Sequence, residues 1–267
     1  ALAAGCTMVI KPAEATPLTA LALARLAEEA EIPAGVFNIV TSLNSSETGK
    51  EFCENPTIRK LSFTGSTRTG RILAAQCAGT IKKLSLELGG TSPFIIFDDS
   101  SVVNAVNGVI SSKFRNAGQT CICANLILVQ EPVYDIFINK LVAAVQKTTI
   151  GNGTEENISI GPLINDAALN KVKGLVDDAI SNGAQCLTGG KFSKLFYEPT
   201  VLSGITKKMK LFSEEIFGPI APIIKFSTEE EALEIANNSI YGLAAYFYSN
   251  DISRCMRVSE SLQYGIV

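Results

Sequence analysis

The chain has 267 residues, with 23 basic and 26 acidic side chains and a formal charge of −3, and it contains neither histidine nor tryptophan. A 46% hydrophobic, 18% charged composition is that of a globular chain of one or two domains, not of a disordered one. The missing histidine excludes Ser-His-Asp and Cys-His catalysis and His-ligated zinc, so acid-base chemistry falls to Asp, Glu, Lys, Tyr or Cys.

Further exclusions follow. No basic stripe suggests nucleic acid, and no apolar run approaches the roughly 18 residues of a membrane span. The seven cysteines form no C-x-x-C pair, which points away from zinc knuckles and a secreted disulfide framework and toward an intracellular, reducing setting. The chain opens on ALAAGCTMVIKP without an initiator Met and ends on QYGIV, which reads as mid-strand. The expectation is a segment of a longer protein.

β-branched runs alternate with amphipathic stretches, the pattern of an α/β fold with a largely parallel sheet. A strand over 7–10 leads into KPAEATP, where Thr16 is expected to cap and Pro17 to open a helix to about Ala30. Strands at 36–40 and 59–63 flank a short helix, TGSTRTG opens a helix to about Ala78, and Lys82 to Leu88 is a strand. Gly89-Gly90 is the strongest internal break and divides the chain into domains 1–89 and 90–267. Beyond it come a strand at 93–97, a helix from Ser101 to about Arg115, and the irregular NAGQTCI running into a strand. Helices are expected at 133–148, 167–182 and 229–236, with GPLIND, TGGK and EEIFGP as loops and YGLAAYFYS as a strand.

Five groups of residues can carry chemistry. Cys121 follows a polar turn and precedes a strand, which would present a nucleophilic thiol at an element end; the alternative is a buried small hydrophobe. Glu87 sits at a strand end beside glycines, where an apolar cleft would make a carboxylate a general base; the alternative is a solvent-facing residue. Gly65 and Ser66 in FTGSTRTG lie between strand and helix, where backbone amides hold phosphate, although Arg71-Ile72 replaces the Lys-Ser/Thr of a Walker loop. Lys11 and Glu14 follow a strand, as groups that hydrogen-bond ribose do, or they are surface charge. Glu215 and Phe217 belong to EEIFGP, whose turn would fix an aromatic ring that is otherwise core.

Taken in order, KPAE, FTGSTxxG, LELGG, GQTC and EEIFGP resemble the aldehyde dehydrogenase superfamily, over essentially the whole chain. SKFRNAGQTCICAN, ELGGTSPFIIFDD and GLAAYFYS bring it nearest to the succinate-semialdehyde branch. The resemblance implies a partial Rossmann-type coenzyme domain over 1–89 and a catalytic α/β domain over 90–267, with Cys121 as nucleophile and Glu87 as general base. Lys11 and Glu215 would bind ribose, Ser66 and its helix N-terminus the pyrophosphate, and Phe217 the nicotinamide side. Glu14 favours NAD over NADP, since a carboxylate accepts from a 2′-hydroxyl and repels a 2′-phosphate. Arg115 would grip the distal carboxylate of a four-carbon aldehyde, or else complement a helix end. Cys123 would close a redox switch with Cys121, or stay inert. No metal is implied.

The resemblance also implies a homo-oligomer, dimer or tetramer, of the full-length protein, in a mitochondrial matrix if the source is eukaryotic and otherwise in cytoplasm. The family's Pro-Trp-Asn segment, with its second oxyanion donor, would precede Ala1, and losing one such donor costs about 100- to 1,000-fold in turnover. The isolated piece is therefore expected to be inactive. Aliphatic, betaine-aldehyde and CoA-acylating branches, and a catalytically silent structural member, are the alternatives.

Overall fold

Short strands joined by amphipathic helices recur from end to end of the computed structural model, which describes residues 1–267. The chain divides into two compact units, Ala1–Glu87 and Leu88–Val267.

In the first unit, β1 (Met8–Ile10) crosses through α1 (Leu18–Glu29) to its parallel partner β2 (Phe37–Ile39). After α2 (Ser45–Glu54), β3 (Lys60–Thr64) crosses through α3 (Thr67–Cys77) to β4 (Lys83–Glu87), again in parallel, with Thr64 opposite Glu87. Cys53, Leu61, Leu73 and Cys77 form the small buried cluster under α2 and α3. One expectation needs correcting: Thr16 does not cap α1. Pro17 already has helical dihedrals (φ −79°, ψ −20°), no side chain caps this end, and the Thr16 N–H instead closes a turn on the Ala13 carbonyl at 3.2 Å.

In the second unit, β5 (Ser92–Ile96), α4 (Val102–Lys113), β6 (Ala124–Gln130), α5 (Glu131–Val145) and α6 (Asp166–Ser181) are followed by β7 (Gln185–Thr188). Next come the hairpin β8 (Phe192–Ser193) and β9 (Phe196–Tyr197), then β10 (Thr200–Ser203) and β11 (Ile220–Phe226). The unit closes with α7 (Glu229–Asn237), β12 (Tyr246–Tyr248) and α8 (Ile252–Ser261). Six strands make one sheet in the order β12-β5-β6-β11-β10-β7, parallel except for β10 against β7. β5, β6 and β11 are buried almost throughout, as strands covered on both faces are, and this explains their largely apolar sequences. YGLAAYFYS is a shorter strand than expected, and of QYGIV only Ile266 pairs, through a single parallel bridge to Ala244.

Candidate active site

In the first unit, Lys11 leaves β1 and turns onto Glu14, its Nζ donating to Oε1 at 2.6 Å and to the Pro12 carbonyl at 2.7 Å. The Ser45 hydroxyl donates to the same Glu14 oxygen. These two side chains, Lys11 first, bring the Glu14 carboxyl down to about 2, so it is ionised at any physiological pH. Beside it lies a cleft of about 320 Å³ bounded by Pro12, Pro17 and Leu43 together with the hydroxyl residues Thr41 and Ser42.

Gly65 extends β3 by one residue, its N–H donating to the Glu87 carbonyl at 2.9 Å. An added Cβ here would come 2.5 Å from the tip of the Phe63 ring, so any larger residue must displace that ring. Ser66 is the N-cap of α3, its Oγ accepting from the Thr69 N–H at 3.2 Å, and it is exposed. Its hydroxyl thus orders the helix end whose remaining first-turn N–H groups point outward, the geometry that receives phosphate oxygens. Glu87 ends β4 with its side chain exposed.

In the second unit, α4 stops at Lys113, and the chain then makes three consecutive left-handed residues: Asn116 (φ 52°), Ala117 (φ 54°) and Gly118 (φ 72°). Left-handed backbone costs about 1–2 kcal/mol for a residue with a Cβ, so two non-glycine residues hold it only because their surroundings do. Those surroundings are visible. Gln119 donates to the Asn116 and Pro162 carbonyls and accepts from the Ile164 N–H at 2.9 Å, and a Cβ on Gly118 would meet the Gly218 carbonyl at 2.2 Å. This turn delivers Cys121, half-buried and free, just ahead of β6. Cys123 points inward, buried, its Sγ donating to the Lys113 carbonyl at 3.4 Å.

Arg115 is exposed at the start of the turn, forms no ion pair within the chain, and lines a cavity of about 460 Å³ with Phe94, Thr120, Ile122 and Tyr246. Thr120 and Ile122 flank Cys121, which itself does not line that cavity. Tyr246 fixes the turn by donating its hydroxyl to the Ile122 carbonyl at 2.7 Å. Glu215 is brought to Gly90, whose N–H donates to Oε1 at 3.0 Å. Phe217 has φ 54° and is 37% exposed, so its ring is presented at the surface instead of filling the core.

The structure therefore brings Lys11 to Glu14, Gly65 to Glu87, Glu215 to Gly90 and Cys123 to Lys113. Sequence reasoning passed over Lys113, Gln119, Asn125 and Tyr246. Lys113 is fully buried with no hydrogen-bond partner for its Nζ, and burial drives its amine down, opposed by Cys123 and Glu215. Asn125 left one visible trace, a single amide inside the apolar run ANLILVQ.

The match to known proteins is complete in extent. The Aldehyde dehydrogenase family model matches residues 1–267, and the chain belongs to that family. It is 52% identical to the 3-sulfolactaldehyde dehydrogenase of Pseudomonas putida over all of this chain and 55% of that protein. It is 53% identical to the succinate-semialdehyde dehydrogenase [NADP(+)] GabD of Escherichia coli K12, over all of this chain and 56% of that one. The crystal structure of succinate-semialdehyde dehydrogenase from Burkholderia pseudomallei superposes with a TM-score of 0.99 at 53% identity, covering all of this chain and 56% of that one. The chain thus spans about half the length of the relatives it matches. The α/β expectation holds: the fold is that of the aldehyde dehydrogenases. No helix is long and apolar enough to cross a membrane.

Proposed function

We propose that the full-length protein oxidises an aldehyde carrying a distal anion, succinate semialdehyde first among them, to the acid. The observation that carries this reading is Cys121, a free half-buried thiol delivered by a strained left-handed turn in a chain that the family model matches over residues 1–267. Its thiolate attacks the aldehyde carbon, and its own backbone N–H donates to the resulting oxyanion. Bound NAD supplies the two-electron acceptor that carries the cysteine adduct to a thioester. Glu87 takes a proton from the water that hydrolyses the thioester, and the thiol is regenerated. Residues 1–89 serve as the later part of the coenzyme domain and 90–267 as the catalytic domain. The isolated segment is inactive, and the whole protein is a homo-oligomer.

The residues present fit a dinucleotide. The cleft beside Glu14 offers apolar and hydroxyl walls and an ionised acceptor for a ribose, and the N-terminus of α3 offers N–H groups for pyrophosphate. Lys11, Glu14, Gly65, Ser66, Glu215 and Phe217 are the coenzyme-binding residues of this reading. An ionised Glu14 carboxylate favours NAD, whose free 2′-hydroxyl it accepts from, over NADP, although NADP(+) appears in the name of the Escherichia coli relative. Glu14→Ser should raise the NADP-to-NAD ratio of kcat/KM about tenfold, roughly the weight of one charge contact. An unchanged ratio would remove Glu14 from coenzyme choice.

Arg115 is the anion clamp. Succinate semialdehyde and 3-sulfolactaldehyde both carry an anionic group away from the carbonyl, and an unpaired guanidinium on a cavity suits either. Arg115→Ala should raise KM for succinate semialdehyde by about 30-fold or more, the loss expected for a charge-assisted hydrogen bond, and leave KM for an uncharged aldehyde within about twofold. Equal effects on both substrates would cancel the clamp. Profiling the full-length enzyme with succinate semialdehyde, 3-sulfolactaldehyde and neutral aldehydes tests the substrate class itself.

Cys123 is proposed as the resolving thiol of a reversible Cys121–Cys123 disulfide formed by peroxide. Peroxide inactivation that remains thiol-reversible in Cys123→Ala would overturn it.

A further inference from the structure

Asn125 is the one polar residue in the fully buried part of β6, residues 124–129, and is only 2% exposed. A buried amide must find partners or cost a few kcal/mol. Both ends of this one go to the same loop: Nδ2 donates to the Glu214 carbonyl at 3.1 Å, and Oδ1 accepts from the Ile216 N–H at 3.1 Å. The orientation is unambiguous, since the flipped amide would set donor against donor and acceptor against acceptor. The two bonds bracket Glu215.

The carboxylate of Glu215 is then confined from the other side. Its Oε1 accepts from the Gly90 N–H, and a Cβ on Gly89 would lie 2.7 Å from Oε2. Gly90 also packs its α-carbon against the backbone of Cys121, where a Cβ would come within 2.3 Å of the carbonyl oxygen. The loop holding Glu215 and Phe217 is thus seated on the Cys121 turn at Gly118, before the thiol, and is hydrogen-bonded at Asn125, after it.

We propose that Asn125 is a positioning residue: its side-chain amide fixes the backbone on both sides of Glu215, and so aims the Glu215 carboxylate at the coenzyme while holding that loop in register with the Cys121 turn. Asn125 itself touches neither coenzyme nor substrate. The inference deepens the coenzyme role given to Glu215 above and rests on it.

The test is a double-mutant cycle in the full-length enzyme with Asn125→Ala, Glu215→Gln and the pair. Asn125→Ala is expected to raise KM for NAD about tenfold, within the range of coupling inside one hydrogen-bonded network, with KM for the aldehyde moving less than about twofold. In the Glu215→Gln background the same substitution should change KM for NAD by less than about twofold. A merely structural role gives multiplicative effects in both backgrounds and overturns the inference, leaving the coenzyme reading intact. A Glu215→Gln enzyme with unchanged KM for NAD would instead refute the coenzyme reading, and this inference with it. Should the Ala variant not fold, Asn125→Ser, which keeps a small polar group in the site, is carried through the same cycle with the same deciding ratio.

Discussion

Cys121→Ala in the full-length protein is expected to lower kcat/KM by about 10⁴- to 10⁶-fold, the scale on which a covalent mechanism fails without its nucleophile. The side chain is half-buried in a turn, so truncation opens no core cavity and the melting temperature should hardly move. Alkylation gives the complementary measurement. With iodoacetamide, loss of activity should track labelling of the Cys121 peptide, and a saturating aldehyde should protect it. Cys53 provides an internal control, because burial above all, with Cys77 beside it, pushes its thiol up to about 12 and leaves it inert. Activity that survives Cys121→Ala, or labelling of Cys121 that leaves turnover intact, would end the covalent reading.

Glu87→Gln should lower steady-state turnover by about 10²- to 10⁴-fold, the usual worth of a general base, while the first turnover persists as a burst of reduced coenzyme. The substitution keeps the shape of an exposed strand-end side chain, so the fold is not at stake. Turnover of the variant should climb with pH as hydroxide replaces the missing base in thioester hydrolysis. Stopped-flow absorbance separates the phases. A burst lost in proportion to the steady state would place Glu87 before the thioester, and full turnover would remove it from the chemistry.

Short-range rules made much of the chain readable in advance. Ser66 and Ser101 cap helices where a hydroxyl precedes an amphipathic run, because the N–H groups of a first turn need a nearby acceptor whatever else surrounds them. Strands β5 and β6 announce themselves by apolar runs, Phe94 to Ile96 and Leu126 to Val129. Where several local preferences compete, the reading failed. Thr16 has the side chain of a cap, yet Pro17 takes up the helical dihedrals and the threonine caps nothing. Between the loops TGGK and EEIFGP the short strands β7 to β10 give little local signal, because their pairing joins separate stretches of chain, such as Val201 with Ala221 and Thr188.

The identities of Cys121, Glu87, Lys11, Glu14, Glu215 and Phe217 as candidates came from residue types and order, since a thiol, a carboxylate and an ammonium carry their chemistry with them. How each is presented was decided only by packing. The exposure of Phe217, the charge held on Glu14 by Lys11 and Ser45, and the left-handed turn that carries Cys121 depend on partners brought in by the fold. So do the two hydrogen bonds by which Asn125 brackets Glu215, across 89 and 91 residues of chain. Intrinsic reactivity is a property of one side chain, while its direction, ionisation and restraint are properties of its neighbours, and distant neighbours exist only once the chain has closed on itself.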